Sequence, residues 1–204
     1  MSGAIQREDL VAEILKERSE DLLIVCGLGS STYDVAGIED HSCNFYLWGG
    51  MGQALSVGLG IAIAQPKKRV LVVTGDGEML MGLGSFSTAS SVAARNLSVL
   101  VLDNGHYSET GGQPTHTSGR TSLAGVAREC GFVHAKEIKS EGEFSLAKQT
   151  LLTEEGPCLI VAKVAIKKYG AIIEPQTRKG HYICLLYTSP SPRDRTRSRM
   201  PSSA

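Results

Sequence analysis

Two apolar, β-branched runs constrain this chain more than any other feature. Val70-Leu71-Val72-Val73 stops at Gly75-Asp76-Gly77, and the run from Leu97 to Leu102 stops at Asp103-Asn104-Gly105. The segment between them is rich in small residues and long enough for a helical crossover, so the runs read as neighbouring parallel strands. Their ends then fall on one edge of the sheet, where open α/β sheets bind ligands. Each end presents an oxygen-bearing side chain, Asp76 and Asn104. A carboxylate and an amide oxygen suit a hard cation such as Mg²⁺ or Ca²⁺. Gly75 and Gly77 let the backbone approach a phosphate closely, and a helix expected to start near Glu78 turns free N–H groups towards it. Asp-Gly and Asn-Gly are ordinary turn dipeptides, but turn chemistry does not explain their pairing. The pattern predicts a metal–diphosphate site.

The remaining chain is compatible with that frame. Residues 5 to 18 place Ile5, Leu10, Val11, Ile14 and Leu15 on one helical stripe. Leu22 to Cys26 reads as a buried strand ending in Gly27-Leu28-Gly29-Ser30-Ser31-Thr32. That loop is a weak dinucleotide fingerprint, since Thr32 stands where a glycine is wanted. A Gly/Ser loop at this edge equally reaches a diphosphate. Residues 38 to 48 read as irregular, Met51 to Ala64 as a small-residue helix, and Pro66 to Arg69 as an exposed turn. Gly105 to Gly119 reads as a polar loop. A helix over 121–130, a strand over His134–Ile138, a helix over Phe144–Leu152 and a strand over Cys158–Val164 complete the alternation. The expected class is α/β, a doubly wound, mainly parallel sheet with helices on both faces.

Composition narrows the function classes. Lysine plus arginine (21) equals aspartate plus glutamate (21), so charge gives no reason to expect nucleic acid or a membrane surface. No run reaches transmembrane length and no signal peptide opens the chain, which reads as cytoplasmic. The five cysteines form no C-x-x-C pair, and Cys26 and Cys158 read as small core residues. From Thr188 onward, TSPSPRDRTRSRMPSSA has no apolar periodicity and is expected to be disordered. It resembles translated vector sequence, with the join near Cys184. The expected division is a globular unit over 1–183 and a non-native tail over 184–204.

Gly75-Asp76-Gly77, a gap of 25 residues and then Asp103-Asn104 resembles the thiamine diphosphate motif. Phe45 through Gly52, the helix after it, Met81, and Ser108-Glu109-Thr110-Gly111-Gly112-Gln113-Pro114-Thr115 narrow the likeness. Over roughly residues 20 to 182 the chain is similar to the thiamine diphosphate-dependent 2-oxoacid decarboxylases. Within them it resembles the diphosphate-binding β subunit of sulfopyruvate decarboxylase and the matching half of phosphonopyruvate decarboxylase. The resemblance implies a diphosphate-binding domain that holds thiamine diphosphate and Mg²⁺. Asp76 and Asn104 would ligate the metal through side chains and His106 through its carbonyl. Gly75, Gly77, Glu78 and Met79 would line the diphosphate, Gly29, Ser30 and Ser31 would close it, and Asn104, His106 and Tyr107 would complete the pocket. Gly49 would accept from the aminopyrimidine, with Gly50 beside it, and Met51 would wedge beneath the cofactor. His106, Gln113 and His116 are the candidate catalytic residues, the histidines for steering an anionic substrate or moving protons.

The implied reaction is decarboxylation of a 3-substituted pyruvate, releasing carbon dioxide and an aldehyde, with the cofactor as electron sink. Such enzymes need an activating glutamate from a pyrimidine-binding domain, and no second α/β unit is legible here. The implied partner is therefore a pyrimidine-binding α subunit, in a heterotetramer or larger assembly. Two other readings stay open. One is the diphosphate-binding half of an acetolactate-synthase-like enzyme or an oxoacid oxidoreductase, the latter needing iron–sulfur clusters from a partner. The other is a non-catalytic nucleotide-binding module.

Overall fold

In the computed structural model, residues 4–166 are described; the expected boundary at 183 and the tail lie outside them. The elements run α1 (Arg7–Leu15), β1 (Leu23–Cys26), α2 (Ser30–Ile38), β2 (Asn44–Tyr46), α3 (Ala54–Ala64), β3 (Val70–Gly75), α4 (Asp76–Met81) and α5 (Ser85–Val92). They continue with β4 (Leu97–Asp103), β5 (His106–Tyr107), β6 (Gln113–Pro114), α6 (Leu123–Cys130), β7 (His134–Ile138), α7 (Phe144–Leu152) and β8 (Cys158–Lys163). Six strands form one parallel sheet in the order β2-β1-β3-β4-β8-β7. The strand order reverses at β1, so the C-terminal ends of β1 and β3 flank a topological switch point.

Alternation along each strand explains the two helical layers. Val70 and Val72 of β3 pack with Leu55 and Leu59 of α3, Phe86 of α5 and Leu123 of α6. Leu71 and Val73 face the other way, against Leu10 and Ile14 of α1, Val35 of α2 and Leu151 of α7. A strand buried on both faces reads as a continuous apolar run, which is how β3 and β4 stand in the sequence. Each fully buried Val, Leu or Phe contributes about 1.5–3 kcal/mol of transfer free energy.

The structure corrects several local readings. Ile5 precedes α1 instead of lying within it; its backbone bridges Val164 in parallel beyond β8. The segment 38–48 contains β2, an edge strand of three residues. The helix read over 51–64 begins at Ala54, and Met51-Gly52 form a turn before it. The crossover after β3 is two short helices that break at Gly82-Leu83-Gly84. The break follows from packing: a Cβ on Gly82 would lie 2.0 Å from the carbonyl oxygen of Gly52. Arg69 is not an exposed turn residue. Its Nε donates to the Leu151 carbonyl at 2.8 Å and its Nη1 to that of Glu154 at 2.7 Å.

The glycines of α3 separate into two kinds. A Cβ on Gly58 would lie 2.3 Å from Val72 Cγ2, whereas one on Gly60 would meet nothing within 4 Å. Gly60→Ala therefore raises stability by about 1 kcal/mol through helix propensity. Gly58→Ala lowers it by about 1–3 kcal/mol through overpacking. Urea unfolding of the two variants checks the contrast, and equal shifts would contradict the packing.

Candidate functional site

Parallel pairing sets the site geometry. Gly75 is registered with Leu102 in β3 and β4, so Asp76 and Asp103 leave the sheet side by side, with Asn104 next. The loop after β1 approaches from the neighbouring strand. Glu78, on the first turn of α4, joins the two ends. Its Oε2 accepts from Thr74 Oγ1 at 2.7 Å and from the Leu28 N–H at 3.0 Å. Gly27 makes room for this carboxylate, since a Cβ there would sit 1.8 Å from it. Burial pushes the Glu78 carboxyl above its usual range, against the pull of the Thr74 and Leu28 hydrogen bonds.

A cleft of about 150 Å³, continuous with solvent, opens at this edge. Its walls include Leu28, Ser30, Ser31, Met51, Met81, Gly75 to Glu78, Asn104 and His106 to Thr110. Most of the expected cofactor residues therefore meet in one place. Several sit elsewhere. Met79 is buried in the layer of α3, α5 and α6. Gly49 and Gly50 do not line the cleft, and Gly50 packs on Leu47. Gly29, at φ +83°, caps α2, and the Glu109 carboxylate lies over it. Gln113 and His116 are exposed, on β6 and on a single 3₁₀ turn, outside the cleft lining. Gly75 faces open space, whereas Gly77 lies beneath the Tyr107 ring, 2.6 Å from where its Cβ would be. The helix expected to start near Glu78 starts at Asp76.

The polar loop after β4 is a hairpin, β5 pairing antiparallel with β6. An Asx turn starts it: Asn104 Oδ1 accepts from the His106 N–H at 2.8 Å, and Asn104 Nδ2 donates to Ser108 Oγ at 2.8 Å. The returning strand delivers two threonines to Asp76. Thr115 Oγ1 donates to Asp76 Oδ2 at 2.5 Å; Thr117 Oγ1 lies 3.1 Å from that oxygen and 2.8 Å from Asp103 Oδ1. Asp103 is neutralised by Lys163, whose Nζ lies 2.6 Å from Oδ2. Among the described residues no cation pairs with Asp76, which is 2% exposed. Burial raises its carboxyl above the usual range; the Thr115 hydroxyl opposes the rise and the charge of Asp103 adds to it.

A buried carboxylate that faces two hydroxyls and a second carboxylate, with no cation paired to it among the described residues, fits a divalent cation. The fit is of a particular kind, because no group of three or more His, Cys, Asp or Glu gathers among the described residues. Mg²⁺ is commonly held by one or two carboxylates plus phosphate oxygens and water. Asp76, the Asn104 amide oxygen and the His106 carbonyl are the groups that would supply such a sparse protein half. Thr115, Thr117, Asp103 and Lys163 were not singled out from the sequence as site residues. Only the run Pro-Thr-His-Thr hinted at paired hydroxyls, and the hairpin that turns them inward is not readable from spacing. Thr117→Val leaves two carboxylates facing one another without a shared donor. It should lower unfolding stability by about 1–3 kcal/mol, read as a shift in the urea midpoint.

Sequence comparison meets this geometry. The profile of the thiamine pyrophosphate enzyme C-terminal TPP binding domain matches residues 27–162, from the loop after β1 to the end of the sheet. The chain belongs to the thiamine pyrophosphate enzyme family. It is 35% identical over 158 residues to the sulfopyruvate decarboxylase subunit beta of Methanocaldococcus jannaschii, covering 78% of this chain and 83% of that protein. It is 40% identical over 147 residues to the phosphonopyruvate decarboxylase of Streptomyces viridochromogenes, covering 72% of this chain but 36% of that longer protein. Among solved structures, the thiamine diphosphate-dependent 4-hydroxybenzoylformate decarboxylase of Rhodococcus jostii superposes with a TM-score of 0.71 at 20% identity. It covers 83% of this chain and 34% of that one, a likeness of fold. The doubly wound thiamine pyrophosphate-binding fold is therefore the architecture of this chain, and the cleft lies within the matched domain.

Proposed function

We propose that this chain is the diphosphate-binding subunit of a thiamine diphosphate- and Mg²⁺-dependent decarboxylase acting on a 3-substituted pyruvate, of the sulfopyruvate or phosphonopyruvate type. The observation that carries the reading is Asp76, buried beside Asn104 at the end of β3 with no cation paired to it among the described residues. When bound, thiamine diphosphate supplies an electron sink that allows a 2-oxo acid to lose carbon dioxide. The chain's own residues bind and orient. Asp76, Asn104 and the His106 carbonyl hold Mg²⁺. Gly75 offers an uncovered backbone to the diphosphate, and Ser30 and Ser31 close it from the loop after β1. Met51, 47% exposed on the cleft wall, packs beneath the cofactor. The His106 Nδ1–H donates to the Asn104 carbonyl, 3.0 Å away, which leaves Nε2 as an acceptor suited to taking a proton from substrate. Gln113 and His116 reach substrate only if the hairpin moves over the cleft, so we rank them behind His106.

The reading needs a partner. Two of the relatives above bear on it: one carries the name subunit beta, and the other is a longer single chain of which this one spans about a third. We infer a pyrimidine-binding α subunit that supplies the activating glutamate, in a heterotetramer or larger assembly. Met81, 53% exposed on the cleft wall, is apolar surface for it. No helix among the described residues is long and apolar enough to cross a membrane, and we place the enzyme in the cytoplasm.

Calorimetric titration tests the half-site. Thiamine diphosphate should bind only with Mg²⁺, and Asp76→Ala should abolish the heat. Binding that is indifferent to Mg²⁺ and to Asp76 would defeat the reading. Carbon dioxide release from sulfopyruvate, phosphonopyruvate and pyruvate, with and without a candidate α subunit, then assigns the substrate. Full turnover by this chain alone would remove the need for a partner.

A further inference from the structure

Arg7 lines the cleft, although no sequence pattern singled it out. It is the first residue of α1, and its side chain is 6% exposed. Its Nε lies 2.6 Å from Oδ2 of Asp34 on α2, a carboxylate that is also buried. The backbone that carries it is fixed from the other side. Ile5 bridges Val164, and the Ala165 N–H donates to the Ile5 carbonyl at 2.8 Å. Val164 is itself a wall of the cleft, together with Ser30 and Ser31, the residues that open α2. Arg7, Asp34 and the two serines thus belong to one rigid corner.

Buried ion pairs contribute little net stability, because desolvation consumes most of the Coulombic gain. Arg7, which also lies 3.5 Å from Glu8 Oε1 through Nη2, stands on the wall of the cleft beside Ser30 and Ser31. A guanidinium is charged at every physiological pH and presents its donors in a planar fork that matches phosphoryl oxygens. The opening turn of α2 turns N–H groups to the same corner. We propose that Arg7, braced by Asp34, contacts the terminal phosphate of the bound diphosphate. This rests on the function proposed above, in which the diphosphate occupies the cleft.

The test titrates three ligands with Mg²⁺ into the protein, alone and with its pyrimidine-binding partner: thiamine diphosphate, thiamine monophosphate and inorganic pyrophosphate. Arg7→Met should weaken thiamine diphosphate and pyrophosphate roughly tenfold to hundredfold, the range for a hydrogen bond to a charged group, and thiamine monophosphate far less. Arg7→Met removes the cation beside Oδ2 of Asp34, so a second variant removes both charges. Arg7→Met/Asp34→Leu should melt near the wild type and show the same selective loss. Wild-type affinity for thiamine diphosphate in the double variant overturns the contact, as does equal loss of the mono- and diphosphate. A wild-type protein that binds none of the three ligands overturns the functional reading and the contact with it.

Discussion

The register between β3 and β4 governs everything at the binding edge. Gly75 opposite Leu102 places Asp76 against Asp103 and brings Asn104 to the same level. Side chains alternate along a strand, so a slip of one residue would turn one of the two carboxylates to the far face. The register is held by burial: all seven residues of β4 and the first five of β3 are inaccessible to water, and each would present the wrong face to its helical layer after a slip. The apolar core thus sets the positions of charges it never touches. Placing two acids together has an electrostatic consequence, which the structure meets unequally. Lys163 answers Asp103, while the side chains that meet Asp76 among the described residues are the hydroxyls of Thr115 and Thr117.

The end of the sheet away from the cleft uses polar groups differently. Asn96 Nδ2 reaches the carbonyls of Ala62, Gln65 and Lys68 at 3.1, 3.1 and 2.8 Å, and Ser98 Oγ reaches that of Leu151 at 2.5 Å. Arg69 also donates to the Leu151 carbonyl, and to that of Thr150, at the end of α7. Here side chains satisfy main-chain acceptors at helix termini, so the charges and dipoles are matched within the fold. At the cleft, Asp76 and the raised Glu78 are matched only in part.

The long apolar runs and their punctuation were legible because burial on both faces leaves a strong trace in sequence. β2 was not, since a three-residue edge strand with partly exposed Asn44, Phe45 and Tyr46 has no such trace. Asp76 and Asn104 could be found because they end strands. Thr115 and Thr117 could not, because they depend on a hairpin whose path is fixed by an Asx turn and by main-chain bonds such as Thr115 N–H to the Gly105 carbonyl at 2.7 Å. Arg7 and Arg69 look like solvated charges in sequence. Only tertiary structure gives one to a cleft and the other to a helix end. Gly77 carries a similar lesson: its missing side chain admits Tyr107, whereas Gly75 keeps its face open.

The bridge between Ile5 and Val164 has a topological meaning. Near the first and the last of the described residues the chain runs side by side in the same direction at one place on the sheet. A unit whose entry and exit are neighbours can be joined into a longer polypeptide, or cut out of one, without redrawing its interior. Related sequence stands in one relative as most of a separate subunit and in another as about a third of a longer chain.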